Sequence, residues 1–126
     1  MLREIKNVRQ NRGEDRRRWF TDQYWDLYIW SDDSNRITGF QLCYDKTGRE
    51  HAFKWFRGKG YSHTKVNFDR EVSFRGESKM SSVLVRDGIF DKQDILAKFK
   101  TDSINLDQDV VRFVCTMITK YKTPGA

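Results

Sequence analysis

Between Tyr24 and Phe68 the chain repeats one pattern, a short alternating segment followed by a cluster of turn-forming residues, and from Asp91 onward that pattern is replaced by another. Trp25, Leu27 and Ile29 alternate with Tyr24, Asp26, Tyr28 and Trp30, and a period of two places the sets on opposite faces of a strand. Asp32-Asp33-Ser34-Asn35, whose short side chains bond their own backbone, predicts a turn into a second strand over Ile37 to Asp45. Lys46-Thr47-Gly48-Arg49 and Arg57-Gly58-Lys59-Gly60 predict turns into strands over Glu50 to Phe56 and Tyr61 to Phe68. Loops this short join antiparallel neighbours. The prediction is a four-strand meander, to which Ser82 to Val85 adds a short fifth strand.

After Asp91 the apolar spacing becomes helical. Asp91 is placed to cap a helix, with Phe90 and Ile95 at the spacing of a hydrophobic staple and Leu96 and Phe99 extending the apolar face. Asn105 or Asp107 caps a second helix, whose Leu106, Val110, Val111, Val114, Met117, Ile118 and Tyr121 form one stripe. One-sided strands followed by one-sided helices give an α+β domain, an antiparallel β-meander of four to five strands with two C-terminal helices packed on one face of the sheet. The alternation does not say which face.

Proline occurs once, at Pro124, and no Gly/Ser linker or repeat divides the 126 residues, so a single domain is expected. It comprises a basic leading segment over 1–18, the meander over 24–86 and the helices over 91–121. The aromatic content of 14% is far from that of a disordered chain. The longest apolar runs are well short of the ~20 residues that cross a bilayer, and the first residues lack the apolar stretch of a signal peptide. A cytoplasmic protein without a membrane partner is the expectation. Cys43 and Cys115 stand outside any CxxC or Cys/His spacing and are expected as buried free thiols.

Charge is unevenly distributed. Residues 1–18 carry seven Lys or Arg against three acidic residues, and the remainder seventeen against fifteen, so the net +6 belongs mainly to the leading segment. Within it, Arg16-Arg17-Arg18 reads as a basic arm, flexible or, through Leu2, Ile5 and Val8, partly helical.

Three readings of function follow. In the first, Tyr24, Asp26, Tyr28 and Trp30 form an aromatic face for a small apolar ligand, a protein partner or a second copy of the chain, because large rings bury area at low entropic cost. Asp26, set among those rings, is a candidate for a raised pKa and a proton-donor role. In the second, Lys54-Trp55-Phe56 and Lys59-Gly60-Tyr61, with His63, interleave cations and aromatics as single-strand nucleic-acid surfaces do. This stretch locally resembles the paired strand motifs of cold-shock domains, and Lys59-Gly60-Tyr61 resembles the start of the central motif of RNA-recognition motifs. The resemblance implies base stacking on Trp55, Phe56 and Tyr61. Beyond those residues the pattern departs, with a shorter turn than cold-shock domains and no helix between the first two strands. In the third, His63 works with Asp69 or Glu71 as a general acid/base pair, or with His51 and a carboxylate holds a metal. The twelve-residue spacing of the histidines is not a ligand signature, and no phosphate loop, nucleophile elbow or triad is present. The expectation is a binding module with no metal and no cofactor.

Overall fold

The computed structural model of the protein describes residues 1–65 and 91–122. The strand predicted over Ser82 to Val85, the staple residue Phe90, and Asp69 and Glu71 lie outside the described residues.

Six strands form one sheet in the order of the chain: β1 (Arg3–Ile5), β2 (Arg16–Thr21), β3 (Trp25–Ser31), β4 (Ile37–Tyr44), β5 (His51–Phe56) and β6 (Gly60–Lys65). Every neighbouring pair is antiparallel. Two helices follow, α1 (Lys92–Asp102) and α2 (Gln108–Lys120). The α+β class and the meander are as predicted, but the described strands number six, not four or five. The additional pair comes from residues 1–21, expected as an arm or a short helix. Glu4 pairs with Phe20 and Ile5 with Trp19, so the leading segment is a hairpin built onto the edge of β3.

The predicted turns form for the predicted reasons. Asp32 Oδ1 accepts from the amides of Ser34 and Arg36, and Asn35 takes the left-handed conformation at φ 69°. The backbone amides of Arg36 and Ser34 and the cation of Arg57 hold the Asp32 carboxyl below its ordinary pKa. Gly58, at φ 83°, supplies the positive φ of the turn between β5 and β6. Asp91 caps α1 by accepting from the Asp94 amide, and Asp107, not Asn105, caps α2 by accepting from the Asp109 amide.

Both helices lie on the aliphatic side of β3. Phe20, Trp25, Leu27, Ile29, Phe40, Leu42 and Phe53 from the sheet meet Ile95, Leu96, Phe99, Val110, Val111, Val114 and Ile118 from the helices in one buried cluster. Fully burying a side chain of this size contributes about 1.5–3 kcal/mol, so this layer is the main driving force of folding. Polar ties also fix the helices to the sheet. The buried Trp25 donates its indole N–H to Asp102 Oδ2 at the end of α1, at 2.8 Å. Arg18 grips Glu4 with two nitrogens, at 2.8 and 2.9 Å, and reaches Asp107, the N-cap of α2, at 3.5 Å. Arg18 also lies over the Phe20 ring. One member of the expected basic arm is therefore a strut between the first hairpin and α2. No helix among the described residues is long and apolar enough to cross a membrane.

Arg18 and Arg16 should separate under substitution. Arg18→Met should lower stability in urea unfolding by about 1 kcal/mol, the scale of a networked surface ion pair. The exposed Arg16, replaced by Ala, should change it by less than about 0.5 kcal/mol. Equal effects would mean that the Glu4–Arg18–Asp107 tie carries no stability.

Candidate functional site

With the helices on one face, strand register decides what occupies the other. Three cross-strand rows run over the open face: Arg17, Trp30, Gly39, Phe56 and Gly60; then Trp19, Tyr28, Gln41, Lys54 and Ser62; then Thr21, Asp26, Cys43, Ala52 and Thr64. Among the described residues no element packs across them. Trp19, Tyr28, Trp30 and Phe56 are each half-buried, and they form a continuous band. Trp19 and Tyr28 stack with centroids 5.9 Å apart, Tyr28 and Trp30 lie at 6.2 Å, and Trp30 and Phe56 at 5.2 Å. Contacts of this kind add about 0.5–1.5 kcal/mol per pair beyond area burial.

Gly39 makes the last contact possible. It sits between Trp30 and Phe56 in the register, and the Phe56 ring lies on its backbone, so that a Cβ at this position would stand 2.2 Å from a ring carbon. The missing side chain is the space that the ring occupies.

At the other end of the band one oxygen of Asp26 gathers three partners. Its Oδ1 accepts from the Trp19 indole at 3.0 Å and from the Thr21 hydroxyl at 2.6 Å, and Lys46 Nζ stands 3.3 Å away. In this arrangement the carboxylate orients Trp19 and pins β2 to β3. That is an anchoring role. Glu50 has its pKa raised, by burial first and then by the charge of Asp26. Cys43 is buried in the same row, and burial pushes its thiol up to about 11, which leaves it unreactive at neutral pH.

The residues proposed from sequence are redistributed. Asp26, Tyr28 and Trp30 share the open face as expected. Tyr24 does not, because β3 begins at Trp25; it packs edge-on against Trp25 beneath the Lys98 ammonium, beside α1. The hairpin set divides by alternation. Lys54 and Phe56 lie on the open face, whereas Trp55 packs on Phe113 of α2, Tyr61 donates its hydroxyl to the Met117 carbonyl, and His63 is buried. Lys59 is exposed in the turn. The six residues therefore do not form one surface, and the local resemblance to single-strand-binding motifs does not extend to a common face. Arg17 is tied to the loop before β2, its guanidinium donating to the Arg9 carbonyl and its amide to Gln10. Arg16 is exposed.

A second cluster lies at the opposite end of the sheet on the helix side. Tyr44, His51 and His63 stack as a triangle, with centroids 5.3–5.9 Å apart. The Tyr44 hydroxyl meets His63 Nε2 at 2.6 Å, and His51 Nδ1 meets the Arg49 carbonyl at 2.7 Å. Burial, reinforced by the neighbouring His51, depresses the His63 pKa to about 4, so the ring is neutral near pH 7. Burial likewise raises the Tyr44 phenol. The histidines do share a face, but no group of three metal-ligating side chains occurs among the described residues.

Sequence reading missed Trp19, because the alternation of Arg17 and Trp19 against Arg18 and Phe20 is masked by three consecutive arginines. It also missed Gly39, whose role appears only once Trp30 and Phe56 are known to flank it. No protein-family model, curated protein or solved structure matches the chain.

Two measurements test this description. Gly39→Ala should displace the Phe56 ring and destabilise the fold by about 1–3 kcal/mol, the usual cost of overpacking. Most of that loss should disappear when Gly39→Ala is made in a Phe56→Ala background, and purely additive effects would contradict the ring-on-glycine contact. For His63, the folded-state pKa lies below the unfolded value near 6.5, so the unfolded chain takes up the proton first as pH falls. Stability is complete above pH 6.5 and declines between pH 6.5 and 4, by on the order of 3 kcal/mol at the acid limit. His63→Phe should flatten that part of the stability profile, and an unchanged slope would place the acid sensitivity elsewhere.

Proposed function

We propose that this protein is a small binding module that receives its partner on the open face of the sheet, across Trp19, Tyr28, Trp30 and Phe56. The observation that carries the proposal is the continuous ring band, left without a covering element among the described residues while the opposite face holds both helices. An aromatic row on a rigid sheet offers large contact area with little side-chain entropy to lose. The wall around it suits binding better than chemistry. Asp26 holds three partners on Oδ1, and the Cys43 thiol is held protonated by burial. Cys43 and Cys115 are both free thiols, which supports a reducing, cytoplasmic setting.

The face can be probed with 8-anilinonaphthalene-1-sulfonate, a planar aromatic anion. The folded wild-type protein should enhance and blue-shift its fluorescence, and Tyr28→Ala with Trp30→Ala should abolish the signal while the fold is retained by circular dichroism. Trp55→Ala, which alters the helix side, should leave the signal in place. Absence of enhancement by the folded wild type would overturn the proposal.

A further inference from the structure

The open face is not electrically uniform, and its asymmetry selects among partners. Its acidic groups, Asp26 and Glu50, lie toward the end where β3 begins and β4 ends, and Asp26 is neutralised by Lys46. At the other end three connections meet, from β1 to β2, from β3 to β4, and from β5 to β6. The first carries Lys6, Arg9 and Arg12 and leads into Arg16, against Glu14 and Asp15; the other two carry Arg36, Arg57 and Lys59 against Asp32 and Asp33.

Cations outnumber acids at this rim, and three of its four acids are engaged, Asp33 being the exception. Asp15 accepts from Thr38, Glu14 from Asn11, and Asp32 caps its own turn and pairs with Arg57. Lys59, Arg36, Arg12 and Arg16 are exposed and have no ion-pair partner among the described residues. The Trp30–Phe56 pair is the part of the ring band adjoining this rim, and Lys54 stands one row further in, in the row of Tyr28 but across Gln41 from it.

We infer that the occupant of the open face is single-stranded nucleic acid, with bases stacking on Trp30, Phe56 and Tyr28 and the phosphates running along Lys54, Lys59 and Arg36. The inference rests on the open-face reading above and adds the partner's chemistry. Rings alone would accept any apolar surface and cations alone any polyanion. Rings bordered by unpaired cations at one end match a chain that alternates flat bases with phosphates. A duplex hides its bases' faces within the stack, so the band has no use for one.

The test is a titration of the full chain with a fifteen-nucleotide oligo-dT and oligo-U at 50 and 200 mM salt, followed by tryptophan fluorescence. Trp19 and Trp30 lie on the face, whereas Trp25 is in the core and Trp55 on the helix side, so Trp30→Phe should remove much of any quenching. If about three phosphates are engaged, affinity should fall roughly twentyfold between the two salts. Trp30→Ala or Phe56→Ala should weaken binding on the order of tenfold or more, and Lys54→Glu with Lys59→Glu should reduce both affinity and salt slope. Equal affinity for duplex DNA or heparin with indifference to the ring substitutions would reduce the interaction to polyanion attraction and overturn the inference. So would the absence of quenching at 50 mM salt. Dye binding to the face without oligonucleotide binding would defeat this inference alone, and loss of both would defeat the open-face reading as well.

Discussion

A sheet has two faces, and two helices of this length cover one. That constraint organises the protein. Each strand sorts its side chains by a period of two, so once Leu27 and Ile29 are committed to the helices, Asp26, Tyr28 and Trp30 are committed to the other side, together with every residue registered against them. The buried layer of Phe20, Trp25, Phe40, Phe53 and Phe99 supplies the driving force, and the aromatic band is the geometrical complement of that choice. A slip of one residue in any strand would exchange the two sets, and hydrogen-bonded ties such as Trp25 to Asp102 and Arg18 to Asp107 oppose such a slip.

Much of this was legible in the sequence because the governing signals are local. Asp32 and Asn35 form their turn through their own backbone, Asp91 and Asp107 cap through neighbouring amides, and the Val110, Val111, Val114 and Ile118 stripe is buried as its spacing implies. The first hairpin was not legible. Its first strand is only three residues long, the loop before the second is long, and Leu2, Ile5 and Val8 fall by chance at helical spacing. What makes residues 16–21 a strand is a ladder to β3, an interaction between segments, which no local rule contains.

The site was legible in part for the same reason. Alternation correctly grouped Asp26, Tyr28 and Trp30, but failed at Tyr24, where the chain is still turning and the ring swings to α1. In the Lys54 to His63 stretch, composition drew attention to a cluster that alternation then divides, sending Trp55 and Tyr61 to the helices and leaving Lys54 and Phe56 outside. Richness in cations and rings describes a segment; a surface is described only after each residue is assigned to a face.

The strand order has a further consequence, for how the molecule comes together. Because spatial order follows chain order from β1 to β6, each ladder closes between sequence neighbours, and the sheet can grow hairpin by hairpin at small entropic cost. Contacts that cannot form this way include those joining Trp25 to Asp102 and Arg18 to Asp107, which span 77 and 89 residues of chain. Docking of the helices is therefore the late, entropically expensive event of folding. Until it occurs the growing sheet exposes rings on both faces, so the half-folded chain is the form most vulnerable to association with its own kind.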